Sequence, residues 1–226
     1  VDMAQLVACA HEKPEVMRKD IEDTIDTFQS DGLKKIVREM LRLTGDKLEW
    51  FPAAQRLHHA ERSGLLHHTT SMLNLARHVV AAYPFLNAEL LYAGVILHDL
   101  CKTTEMISDE TGSVSDYSAD GLLIGHLVRG VARIEEAAKN VGVSGEIVLL
   151  LEHMVLSHHS IPEYGSPKAP MFPEAEVLAR IDDLDAKMNE MQGILSRVPE
   201  GAFSEKVWSL DRRIYHPKYQ EIDGAE

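Results

Sequence analysis

The sequence predicts an all-α fold, a bundle of helices around one sizeable core. Three observations carry that expectation. Apolar residues recur at steps of three and four along most of the chain, no β-rich stretch interrupts them, and 226 residues with 45% apolar and 26% charged side chains are the composition of an ordinary globular domain. Lys and Arg number 23 against 36 Asp and Glu, and the net charge of −13 argues against non-specific adhesion to nucleic acid or to an anionic membrane. No run approaches the roughly 18 uncharged apolar residues that a membrane span requires. Cys9 and Cys101 are too far apart in sequence for a CxxC pair, so neither a disulfide framework nor a thiolate zinc site is indicated, and a reducing, cytoplasmic setting is expected. The first residue is Val1 rather than Met, as expected of a processed chain or of a fragment.

Taken in order, Pro14 suits the first turn of a helix over about Glu15 to Ser30, with Ile21, Ile25 and Phe28 inward. A second helix, Leu33 to Leu43, sets Leu33, Ile36, Val37, Met40 and Leu41 on one face and stops at Thr44-Gly45-Asp46. Ser63 is placed to cap a helix reaching Tyr83, in which Leu65, His68, Met72, Leu75 and Val79 point inward and His67, Ser71, Asn74 and His78 outward. The next helix, Leu86 to Lys102, is almost wholly apolar until it ends in HDLCK. An imidazole and a carboxylate, His98 and Asp99, are costly there unless hydrogen-bonded, paired or bound to a metal. Thr103 to Tyr117 reads as a surface loop. Ser118 to Asn140 reads as one helix with Leu122, Leu123, Leu127, Val131 and Ile134 inward and His126 on the same side; Gly125 and Gly130 around it leave room for a ligand or mark a close helix crossing. Ser144 is placed to cap a helix to about Ser160 that is apolar nearly all round and therefore central, with Ile147, Leu151, Met154 and His158 on one face and His159 beside them. Ile161 to Pro173 carries four prolines and is expected to act as a lid or to wrap a neighbour. Glu174 to Arg197 shows the clearest stripe, Val177, Ile181, Leu184, Met188, Met191 and Leu195, with Asp182 and Asp185 on its flank. The tail Pro199 to Glu226, with Trp208, Tyr215 and Tyr219, is expected to pack back without a fold of its own.

Inward polar groups thus fall on five helices: His68, His98-Asp99, His126, His158-His159 and Asp182. One inward His is more often a hydrogen-bonded core residue, and that explanation weakens with each further one. Neutral imidazoles and carboxylates are ligands for borderline divalent metals, and two metals sharing a bridging carboxylate need about this many groups.

The ordered series, with HDLCK inside it, resembles the HD superfamily of metal-dependent phosphohydrolases. More closely, FPAAQRLHHAERSGLLHHTTSML, LLYAGVILHDLCKTTE, GLLIGHLV, LEHMVLSHHSIPEYGSPKAP and AEVLARIDDLDAKMNEM, in that order, look like the YhaM-type 3′-to-5′ exoribonucleases over about Trp50 to Arg213. The resemblance implies an HD domain at 50–198, preceded by a linker and helical appendage at 1–49 and followed by a tail at 199–226 packing on it. It implies a phosphodiesterase that degrades single-stranded RNA or DNA from the 3′ end with one or two divalent ions per chain, Mn²⁺ expected and Fe, Co or Zn as alternatives. By position, His68, His98, Asp99 and Asp182 match the family's first metal set. His126, His158 and His159 match the further ligands of two-metal members, and Asp99 the bridge.

In such a site metal-activated water attacks phosphorus, Asp99 holds both ions, and Lys102 either adds a positive charge near the scissile phosphate or ends its helix in solvent. His58, His59 and His153 are candidates for contacting substrate or protonating the leaving oxygen. Lys168, on the Pro-rich loop with Tyr164, is placed to close over the substrate, and Asp185 to orient a ligand from behind. Cys101 stands where family members usually carry Gly and reads as a small buried residue. These exoribonucleases resemble a two-domain design in which an OB-fold precedes the HD domain; with no β-rich stretch in this chain, an OB-fold partner would lie upstream of Val1. Two alternatives stay open: an HD enzyme acting on a small nucleotide or phosphomonoester, which suits the acidic charge, and a non-catalytic regulatory HD domain, against which retention of every expected ligand argues. Self-association into a homo-oligomer is also expected.

Overall fold

The structure, a computed structural model, describes residue 10, residues 12–54 and residues 61–219. Among these residues nine α-helices form the body: α1 Pro14–Asp26, α2 Asp31–Thr44, α3 Gly64–Ala82, α4 Ala88–Leu97, α5 Lys102–Glu105, α6 Ala119–Leu123, α7 Gly125–Val141, α8 Glu146–Ser157 and α9 Pro173–Leu195. The apolar faces expected for α1 and α2 are the buried ones, and Ser30 caps α2 by accepting a hydrogen bond from the Leu33 N–H at 3.3 Å. These two helices contribute Met17, Ile21, Ile36 and Met40 to the same core as Leu65, Leu91 and Leu151. The apolar α4 is central, packed by α2, α3, α8 and α9, while α7 lies on α8 and α3 on α9. None of the described helices is long and apolar enough to cross a membrane.

The structure corrects several expectations. Thr103 to Tyr117 is not a plain loop: it carries a short antiparallel pair, β1 Met106–Ser108 and β2 Val114–Tyr117, with a bulge between Ile107 and Ser108. The helix ending in HDLCK stops at Leu97, so His98 and Asp99 sit in the turn that joins α4 to α5. Ser63 does not cap α3; it is left-handed, and its hydroxyl donates to the Glu49 carbonyl. Gly145 rather than Ser144 precedes α8, and Leu149 on that helix is exposed. The expected single helix 118–140 breaks at Ile124-Gly125, where Gly125 takes a φ of +78° that a side chain would disfavour. The break re-aims the chain, leaving Leu122 and Leu123 72% and 81% exposed while His126 turns in. On α9 the buried face is Ala175, Leu178, Ile181 and Asp185, and the expected inward Leu184 and Met188 are exposed.

The tail also differs from expectation. Residues 201–216 form a hairpin with bridges Phe203–Tyr215 and Val207–Arg212.

Candidate metal centre

Three helices, α3, α7 and α9, and the two turns that follow α4 and α8 deliver seven groups to one buried point. Asp99, His126, His158 and His159 form one set whose ligand atoms lie within 4.8 Å of one another, and His68, His98 and Asp182 form a second. The two sets touch through Asp99: Oδ1 is 3.4 Å from His126 Nε2 and 3.6 Å from His158 Nε2, whereas Oδ2 is 3.3 Å from His98 Nε2 and 3.9 Å from His68 Nε2. Asp182 Oδ1 closes the second set at 3.1 Å from His68 Nε2. Each sequence-expected metal ligand is therefore in one cluster.

Every one of the five imidazoles is oriented from behind through Nδ1. In His98, His158 and His159 that nitrogen donates to a main-chain carbonyl, of Val95, Val155 and Tyr164, at 2.8, 2.8 and 2.7 Å. A carbonyl only accepts, so in these three the proton is on Nδ1 and the lone pair is on Nε2. His68 Nδ1 lies 2.7 Å from Asp185 Oδ2 and His126 Nδ1 2.8 Å from Glu105 Oε2, the carboxylate partners that ligating histidines commonly keep. Ser71 in turn hydrogen-bonds Asp185. Asp185 is where the sequence suggested. Glu105 and Ser71 were missed, because nothing in their spacing distinguishes a supporting group from an ordinary polar one.

The arrangement asks for positive charge at its centre. Asp99 Oδ1, His126 Nε2 and His158 Nε2 are buried with no hydrogen-bond partner, although both nitrogens lie 3.4–3.6 Å from the carboxylate oxygen. A buried polar atom in that state is costly unless something fills it, and a divalent ion among imidazole and carboxylate donors does so. Burial opposes charge on His68, yet Asp182 and Asp185 outweigh it and raise the imidazole to about 9. Burial holds His158 neutral, down to about 3. Burial works against the carboxylate of Asp99 too, but Lys102 and His98 hold it well below the usual range.

Lys102 is not in solvent: its Nζ is 2.7 Å from Asp99 Oδ2 and its side chain lines the cleft over the centre. That cleft, about 580 Å³, also exposes His158, His159, Tyr164, Asp182, Arg180 and Lys187. His153 is turned elsewhere, accepting from the Met171 N–H at 3.1 Å with its ring beside Phe172, and Lys168 is exposed on the loop without lining the cleft. His58 and His59 lie outside the described residues. Gly130 settles its alternative: a Cβ there would come within 2.5 Å of Val155 Cγ1, so it marks a close crossing of α7 on α8, the crossing that sets His126 beside His158. Cys101 is buried, and burial pushes its thiol up to about 11.

The HD domain family model matches residues 65–187. A protein named 3′-5′ exoribonuclease YhaM from Geobacillus sp. (strain WCH70) is 43% identical over 224 residues, covering 98% of this chain and 68% of that relative. Its namesakes from Bacillus subtilis (strain 168) and Listeria monocytogenes are 41% and 40% identical, covering 91% and 97% of this chain and 66% and 70% of theirs. The chain thus spans about two thirds of the length of these relatives. No solved structure matches. The seven clustered histidines and aspartates all fall on the segment that the family model covers, and the chain belongs to the HD domain family.

Proposed function

We propose that this chain is the catalytic HD part of a metal-dependent 3′-to-5′ exoribonuclease, with one ion held by His68, His98 and Asp182, a second by His126, His158 and His159, and Asp99 shared between them. The observation that carries it is the trio of buried, unpartnered acceptors Asp99 Oδ1, His126 Nε2 and His158 Nε2 facing the same point. Imidazole with carboxylate suits Mn, Fe, Co or Zn, and Mn²⁺ is the ion expected from the resemblance. When bound, such ions supply an ionised water as nucleophile near neutral pH and offset charge on the phosphate oxygens.

The chain's own groups do the rest. Asp99 offers one oxygen to each set, which is what a shared ligand requires and what a histidine cannot give. Asp185 and Glu105 fix the rings of His68 and His126, and the carbonyls of Val95, Val155 and Tyr164 fix the other three, so little reorganisation is left for binding. Lys102 brings a fixed positive charge into the cleft, and Arg180 and Lys187 stand on its wall. Its volume of about 580 Å³ is of the size that admits a small ligand such as a nucleotide. A cytoplasmic setting is in keeping with an RNA substrate, and an OB-fold partner domain would supply the additional hold on the strand that an acidic chain needs.

A 5′-labelled single-stranded RNA incubated with the protein and Mn²⁺ tests this directly. A ladder shortened stepwise from the 3′ end is expected. Hydrolysis of free nucleotides or phosphomonoesters with no ladder would establish the small-substrate alternative instead.

A further inference from the structure

We propose that the C-terminal hairpin, residues 201–216, is a second binding surface for single-stranded nucleic acid, on which nucleotides upstream of the reacting 3′ end stack. The proposal rests on the exoribonuclease reading for its substrate, and on the hairpin's own chemistry for its place.

The hairpin is ordered by its backbone rather than by a core. Gly201 donates to His216 O at 2.7 Å, His216 to Ala202 O at 2.9 Å, Ser204 to Ile214 O at 2.8 Å and Val207 to Arg212 O at 2.9 Å. Ser204, buried, accepts from the Ile214 N–H through its hydroxyl, and its carbonyl accepts from Arg213 Nε. His216 is tied to Val198 O, and Ser209 at the tip hydrogen-bonds Glu190 on α9. A two-stranded hairpin gains most stability when its aromatic residues pack inward. Here they do the opposite: Trp208 is 86% exposed at the tip, and the tilted pair Phe203 and Tyr215, 4.9 Å between centroids, is exposed at the base of the hairpin.

What covers such a face is indicated by charge. In a chain of net charge −13, the hairpin residues 201–216 carry three Lys or Arg against two Asp or Glu, with Lys218 just beyond. Two of these cations are set against the exposed rings, Lys206 Nζ at 5.4 Å from the Trp208 centroid, where it also pairs with Asp211 at 2.5 Å, and the Arg213 guanidinium at 5.4 Å from that of Phe203, where its Nε donates to the Ser204 carbonyl. Exposed π-faces interleaved with cations are what a sequence-tolerant single strand requires: bases stack on the rings while phosphates meet the Lys and Arg. An acidic protein partner would use the cations but gain little from the rings, and an apolar one the reverse. Position agrees with this use. Glu190, which the tip touches, lies about two turns beyond Asp182 on the same helix, about 12 Å along its axis at 1.5 Å per residue. A strand with its 3′ end at the metal centre can therefore lie along α9 and reach Trp208.

The experiment compares wild-type protein with Trp208→Ala and Trp208→Phe, with Mn²⁺ present, on a single-stranded RNA of about 15 nucleotides and on a dinucleotide. For Trp208→Ala the KM for the long strand is expected to rise about tenfold, the loss of one stacked base. The kcat, the dinucleotide kinetics and the metal content stay unchanged, and Trp208→Phe recovers most of the loss. Wild-type tryptophan fluorescence should fall on adding the single strand, and far less on adding duplex. Trp208→Ala protein that binds and degrades the long strand like wild type overturns the proposal, as does a change in oligomeric state with RNA binding intact, which would make the hairpin a protein contact. Wild-type protein whose Trp208 fluorescence reports RNA binding but which never shortens the strand would leave the hairpin site standing and sink the nuclease reading.

Discussion

The two halves of the metal centre answer burial in different ways. In the His68, His98 and Asp182 set, the carboxylates of Asp182 and Asp185 overcome burial and raise His68 to about 9. In the other set burial works the opposite way, lowering His158 to about 3, and the buried acceptors Asp99 Oδ1, His126 Nε2 and His158 Nε2 have no hydrogen-bond partner. A proton can stand in for an ion in the first half. Nothing stands in for it in the second, so the second half depends more heavily on the metal to satisfy its buried acceptors. The hinge between them is Asp99, which turns one oxygen to each side.

The largest effect that could break this comparison comes from Asp99 itself. Asp99→Ala removes the carboxylate proposed to be shared between the ions and is expected to cut the rate about a thousandfold, the several kcal/mol of charge stabilisation that metals supply to such a reaction, measured as turnover of labelled RNA. Next come the supporting carboxylates, which act on one half each. Asp185→Asn should weaken metal binding at the first half, and Glu105→Gln at the second, by about 10- to 100-fold, read by calorimetric titration of chelated protein. Equal loss at both steps in either variant would dissolve the distinction between the halves.

The halves also titrate in opposite directions once the metal is removed. A charged His68, raised from 6.5 to about 9, contributes stability that is complete below pH 6.5 and lost as pH rises through 9. His158, lowered from 6.5 to about 3, refuses a proton that the unfolded chain accepts, so its effect is a loss of stability as pH falls below 6.5. Melting of chelated protein should therefore fall away on both sides of pH 6.5, and metal-saturated protein should show a flatter alkaline side. The smallest expected effect concerns packing. Gly130→Ala forces a methyl against Val155 and should cost about 1–3 kcal/mol in denaturant unfolding, with His126 displaced and the second half weakened more than the first.

The centre was more legible in the sequence than the scaffold around it. His68, His98, Asp99, His126, His158 and Asp182 announce themselves because each is a polar group on a helix that periodicity marks as buried, and their order gives the family. The scaffold misled where local geometry overrides periodicity. Leu122 and Leu123 fit an inward face only if the helix runs straight through Gly125, and it does not. On α9 the sequence shows a clear apolar stripe, but the buried face keeps only Ile181 of it and runs through Ala175, Leu178 and Asp185, leaving Leu184 and Met188 exposed. Glu105 and Ser71 are invisible at the sequence level, since their role depends on which ring they reach. The tail's aromatics suggested packing, and only the hairpin pairing shows that they are held outward.

The most direct measurement is metal content per chain, taken by elemental analysis of protein purified without chelator, for wild type beside Asp99→Ala and His158→Ala. Two divalent ions are expected in wild type, one in His158→Ala and fewer than one in Asp99→Ala. Equal content in wild type and Asp99→Ala would contradict the claim that Asp99 joins the two halves into one metal centre.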